Sequence, residues 1–160
     1  MQADHLSKWL AFGANLGVIV GLVFVALEIR QANKIALVST ELGVRDTYAQ
    51  LNETVYTNSE VADVLFRARD SETKFEGADS EVAEKYAYRN INTWVGLETA
   101  HENGLLPSAT FESVSEDIRV SIAKYPGLAP YYRSVVGDYD SYGDLEVFRL
   151  LDKALDDHGF

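Results

Sequence analysis

Between Trp9 and Leu27 the chain carries no charged side chain, and Asn15 is the only strongly polar residue in that run. A helix through it rises about 1.5 Å per residue and reaches about 28 Å, close to the roughly 30 Å hydrocarbon core of a bilayer. Lys8 stands before the run, with Glu28 and Arg30 after it, and Trp9 occupies the position of an interfacial aromatic anchor. The expectation is a transmembrane helix over residues 9–28, anchored at the interfaces by Lys8, Trp9 and Arg30. Two other readings compete. A cleaved signal peptide wants small residues before its cleavage site, and Phe24-Val25-Ala26 places a bulky ring there. A buried core helix more often has a shorter apolar run.

Within the run, Gly13, Gly17 and Gly21 repeat every fourth residue. That spacing puts them on one helix face, where a second backbone can approach closely, and Asn15 could hydrogen-bond across such an interface. The expected partners are the lipid bilayer and other transmembrane helices, either copies of this chain or subunits of a larger complex. The plainer alternative is glycine tolerated against lipid. Arg30, Lys34 and Arg45 outnumber Lys8 and the terminal amine, so the positive-inside rule leans the C-terminal part toward the cytoplasm and leaves residues 1–8 as a short translocated tail.

The rest of the chain, 29–160, is read as an acidic all-helical soluble domain. The 160 residues carry 14 Lys+Arg and 25 Asp+Glu, a net charge of −11, and every acidic residue except Asp4 and Glu28 lies beyond Lys34. This balance argues against a nucleic-acid partner, whose phosphates call for a basic surface. No cysteine is present, which excludes disulfides and thiol chemistry.

Helical periodicity dominates the domain. Leu37, Val44, Tyr48, Leu51 and Val55 continue a stripe from the apolar segment, and Asn58-Ser59 offers cap chemistry for a short helix to Arg69. After a polar loop over 70–80, a helix opening at Glu81 has the apolar face Ala83, Ala87, Ile91, Trp94 and Leu97. Gly104 marks its end, and Pro107-Ser108 starts a helix bearing Phe111, Val114, Ile118 and Ile122, which stops at Tyr125-Pro126-Gly127. Short helices over 131–136 and 145–155 complete the chain. Period-two alternation is absent, so the expected fold class is all-α: one N-terminal transmembrane helix continuous with an irregular soluble helical bundle.

The order of an apolar anchor, a long helix, Asn58-Ser59-Glu60-Val61-Ala62, Trp94 with Glu98, Glu102-Asn103-Gly104-Leu105-Leu106, and Pro126-Gly127 with Tyr131-Tyr132-Arg133 resembles an uncharacterised family of small bacterial membrane proteins. Those proteins join one N-terminal transmembrane helix to a helical domain. The resemblance covers nearly the whole chain but rests on caps and turns. It implies architecture and a bacterial origin only, and it transfers no activity and no functional residue; the location expected for the chain itself is the bacterial inner membrane.

Chemistry-bearing patterns are sparse. Glu98 and His101 have the Glu-x-x-His spacing of di-iron bundles, but a second such motif is missing, and the expectation is a surface Glu and His without a metal. No histidine lies inside the apolar run to ligate a haem or chlorophyll, and neither a phosphate-binding glycine loop nor a nucleophile elbow occurs. No catalytic residue and no cofactor is therefore expected. Five of the nine tyrosines, Tyr125, Tyr131, Tyr132, Tyr139 and Tyr142, cluster near Arg133. Tyr131, Tyr132 and Arg133 are candidates for a partner surface, since Tyr and Arg are enriched at binding hot spots. Rings capping a small core with wet hydroxyls are the preferred reading of the cluster, with the partner surface as the alternative. The functional expectation is a non-catalytic accessory or structural subunit assembled through its glycine face. The alternatives are a self-assembling homo-oligomer or a tethered binding module, and behind them a helical metalloenzyme.

Overall fold

The computed structural model describes residues 2–139 and 144–160, with the side chains of 2–4, 6–8, 11 and 51 excepted. Among them every regular element is helical: α1 (Gln2–Thr57), α2 (Ser59–Arg67), α3 (Ala78–Glu102), α4 (Ser108–Lys124), a 3-10 turn (Pro126–Leu128), α5 (Ala129–Asp138) and α6 (Glu146–Asp157). The chain forms two compact units, Met1–Ser39 and Thr40–Phe160, which divide within α1.

In the first unit α1 is apolar on all sides. Large side chains from Trp9 through Ile29 are exposed around the whole circumference, and none of the apolar window is buried. A helix hydrophobic all round belongs inside a core or a membrane. This one is long and apolar enough to cross a bilayer.

The second unit is built by local signals. Asn58 adopts extended backbone (φ −119°, ψ 105°), which ends α1, and its Oδ1 accepts from the backbone N–H groups of Glu60 (3.0 Å) and Val61 (3.3 Å) to cap α2. Helix α3 ends in a Schellman arrangement: Gly104 has φ 69°, its N–H donates to His101 O (2.9 Å), and Leu105 N–H donates to Ala100 O (2.8 Å). Glycine takes that left-handed backbone without the Cβ penalty. The start of α3 lies a few residues before the expected Glu81, because Gly77 (φ 58°) turns the chain and lets Ala78 begin the helix.

Helix α3 runs through the middle of the core. Ala83, Ala87, Ile91, Trp94 and Leu97 are all buried, as their spacing predicts, against Phe111, Val114, Ile118 and Ile122 of α4. Val147, Phe148, Leu151 and Leu155 of α6 and Val64 and Leu65 of α2 complete the packing. Of the expected α1 stripe, Val44, Tyr48 and Val55 pack half-buried on this core; Leu37 belongs to the first unit and is exposed, and the Leu51 side chain lies outside the described residues.

One close approach fixes the α4–α5 connection. Gly127 N–H donates to Ala68 O (2.8 Å), and a Cβ there would lie 2.8 Å from Asp70 O and 3.1 Å from Ala68 Cα. Both neighbours are backbone and cannot swing aside. Gly127→Ala is therefore expected to lower the unfolding free energy of the helical unit by about 1–3 kcal/mol. Thermal unfolding followed by near-ultraviolet circular dichroism checks it, and an unchanged midpoint would contradict the packing.

Candidate functional site

Gly13, Gly17 and Gly21 lie in the exposed part of α1, and a Cβ built on any of them meets nothing within 4 Å. Asn15 and Arg30 are exposed as well. Trp9 is 70% exposed and meets Phe12 edge-to-face, with centroids 6.2 Å apart. The side chain of Lys8 lies outside the described residues.

The tyrosine-rich end divides. Tyr132 is fully buried, stacked on Trp94 (centroids 5.9 Å, 25°), and its hydroxyl accepts from Asn90 Nδ2 at 2.7 Å. Burial pushes that hydroxyl well above the ordinary phenol range. A ring in this position cannot meet a partner, which corrects the surface reading for Tyr132. On a helix, successive residues point about 100° apart, so Tyr131 and Tyr132 cannot share a face. Tyr131 stays half-buried, its hydroxyl 3.0 Å from Ser80 Oγ and donating to Phe75 O at 3.4 Å. Arg133 is exposed but engaged: it pairs with Asp152 (3.3 Å) and Asp156 and donates to Phe160 O at 2.6 Å. Tyr125 and Tyr139 are half-buried against the core, and Tyr142 lies outside the described residues.

Glu98 and His101 also depart from expectation, since neither is a simple surface group. Glu98 is 4% exposed, and its two carboxylate oxygens accept from the backbone N–H groups of Glu146 (2.6 Å) and Val147 (2.9 Å). It caps the first turn of α6 from another helix, where the positive end of the helix dipole favours an anion. His101 is half-buried, stacked on Phe111 (4.7 Å, 7°), with Nδ1 3.0 Å from Leu106 O. Among the described residues no three His, Asp or Glu side chains converge as metal ligands would.

The most concentrated polar chemistry is a cluster that the sequence reading did not single out. Asp117 of α4 is half-buried, and its Oδ2 accepts from Trp94 Nε1 at 2.7 Å and from the Tyr48 hydroxyl at 3.1 Å. Three helices thus meet on one carboxylate oxygen. Burial, reinforced by the neighbouring Asp117 charge, pushes the Tyr48 hydroxyl well above its ordinary value, so it remains a protonated donor. Tyr86 is likewise raised, chiefly by burial. A cleft of about 160 Å³ opens here, lined by Tyr48, Tyr86, Trp94, Asp117, Lys124 and Tyr125, among others. Tyr86 and Tyr125 meet nearly at right angles (centroids 6.5 Å, 79°), and Lys124 Nζ lies 5.2 Å from the Tyr125 ring centroid. One signal did exist in the sequence: a buried indole N–H needs an acceptor. Which acceptor it finds is set only by the packing of α3 on α4.

A broader cleft of about 760 Å³ lies between the second part of α1 and α3, with Gly43, Thr47, Asn92 and Gly96 on its walls. Arg89 on its border is held by Thr54, Nη1 to Oγ1 at 2.7 Å. Compared with family models, with curated proteins and with solved structures, the chain has no significant match.

Proposed function

We propose that this chain is a single-pass protein of the bacterial inner membrane that works by assembly rather than catalysis, as an accessory subunit of a larger membrane complex. The observation that carries the reading is the apolar part of α1, none of which is buried among the described residues. In a bilayer that surface is solvated by lipid, and the Gly13/Gly17/Gly21 face admits a neighbouring helix at close range. Asn15 adds a hydrogen-bonding group beside it, and Trp9, Lys8 and Arg30 set the depth of the helix at the two interfaces. Arg30, Lys34 and Arg45 orient the helical domain toward the cytoplasm.

Gly17→Leu tests the glycine face. A leucine side chain there holds two helices apart, and overpacking of that size costs about 1–3 kcal/mol, a roughly 5- to 150-fold loss of association. The measurement is the mass and composition of the complex gently solubilised from native membranes, for the wild type and the variant. Stoichiometric foreign subunits that are lost with Gly17→Leu support the accessory role. A small multiple of 17.8 kDa would replace it with a homo-oligomer, and unchanged assembly of the variant would overturn the glycine interface.

A further inference from the structure

The cleft beside Asp117 joins three features that recognise one kind of ligand. Its lining includes the Asp117 carboxylate, whose Oδ2 accepts from two donors, Trp94 and Tyr48, while Oδ1 has no hydrogen-bond partner within the chain among the described residues. Two fixed donors on one oxygen set the carboxylate plane and leave the other oxygen as the available acceptor. Its walls are aromatic, with Tyr86 and Tyr125 forming a right-angled corner, and the faces of such rings attract cations. The Lys124 ammonium already rests over the Tyr125 ring, so that face takes a positive charge within the molecule itself. The volume of about 160 Å³ is below the range of about 300–1,000 Å³ for drug-sized ligands and suits a single head group. The surrounding field, from a chain of net charge −11, concentrates cations and repels anions.

We infer that this cleft binds the head of a small organic ammonium, which sits between the free oxygen of Asp117 and the rings of Tyr86 and Tyr125. A choline-type group presents methyl surface to the rings and charge to the carboxylate. Such a head group exists both in free amines and on zwitterionic lipids. Lys124 competes for the same space and charge, so the ligand displaces its ammonium from the Tyr125 face.

The test uses the full chain in maltoside micelles, with Trp9→Phe as background so that Trp94 is the only reporting indole. Choline chloride is titrated against sodium chloride at matched ionic strength, and Trp94 emission is followed. A saturable change with a midpoint on the order of 1–10 mM is expected. Asp117→Asn keeps an acceptor oxygen for Trp94 and Tyr48 but removes the charge, and should weaken binding about tenfold or more. Lys124→Gln, an exposed change that leaves the core alone, should tighten binding roughly 3- to 10-fold by vacating the ring and removing a like charge. No saturable response of the wild type above the salt control overturns the inference, as does an unchanged midpoint in Lys124→Gln. So does an unchanged midpoint in an Asp117→Asn protein whose circular dichroism matches the wild type. If that variant fails to fold, the wild type and Lys124→Gln decide. Nanodiscs separate the two sources: in phosphatidylcholine discs a lipid head group leaves free choline without effect, and a free-amine site still titrates as it does in phosphatidylglycerol discs.

Discussion

Replacing Trp94 with alanine is expected to remove about 3–5 kcal/mol from the stability of the helical unit, the range for truncating a large buried aromatic side chain. Trp94 is 1% exposed, stacks on Tyr132 and joins α3 to α4 through Asp117, so truncation removes core packing and the link between the two helices at once. Trp94→Phe separates the two contributions. It retains most of the ring volume but deletes the indole N–H, leaving Asp117 with Tyr48 alone, and should cost about 1.5–3 kcal/mol, as for a hydrogen bond to a charged group. Chemical unfolding followed by tyrosine emission and near-ultraviolet dichroism distinguishes the pair. If the alanine variant lost less than the phenylalanine variant, the described packing of α3 on α4 and α5 would be wrong.

Glu98→Ala is expected to cost about 2–4 kcal/mol, since it strips two backbone N–H groups of a charged acceptor at the start of α6. Glu98→Gln retains one acceptor oxygen and should lose roughly half as much. The effect is local before it is global: amide hydrogen exchange should rise first in Val147–Leu151 and spread to α4, against which α6 packs. Loss of protection spread evenly over the unit, with α6 no worse than α3, would show that Glu98 does not anchor this helix. His101→Ala provides the contrast, because it removes a ring stacked on Phe111 but leaves the α6 cap intact.

Where the sequence was legible, the responsible physics is local. Asn58, Gly104 and Pro107 mark helix boundaries because capping, left-handed backbone and a missing N–H act within a few residues. The α3 stripe from Ala83 to Leu97 was readable for the same reason, since a 3.6-residue period needs only one helix and one core. The site residues were harder. Glu98 meets its partners 48 and 49 positions away, and Tyr48 meets Asp117 at 69. Nothing near Glu98 in the chain announces that α6 will start beside it. The Glu-x-x-His spacing read as a plain surface pair, whereas the fold buries Glu98 as a helix cap and stacks His101 on Phe111. Tyr131 and Tyr132 look equivalent as neighbours, yet one ring enters the core and the other stays at its edge.

By itself, then, the sequence determined an all-helical chain, an N-terminal helix long and apolar enough to cross a membrane, and the core-facing stripes of α3 and α4. These follow from hydropathy, periodicity and capping, which are sums over near neighbours. Only the tertiary structure decided that Glu98 caps α6, that Tyr132 is buried and that Asp117 gathers donors from α1 and α3 beside an aromatic cleft. The reason is that a buried polar group must be satisfied by whatever donor or acceptor packing brings within about 3 Å, and that neighbour is chosen by how the helices meet.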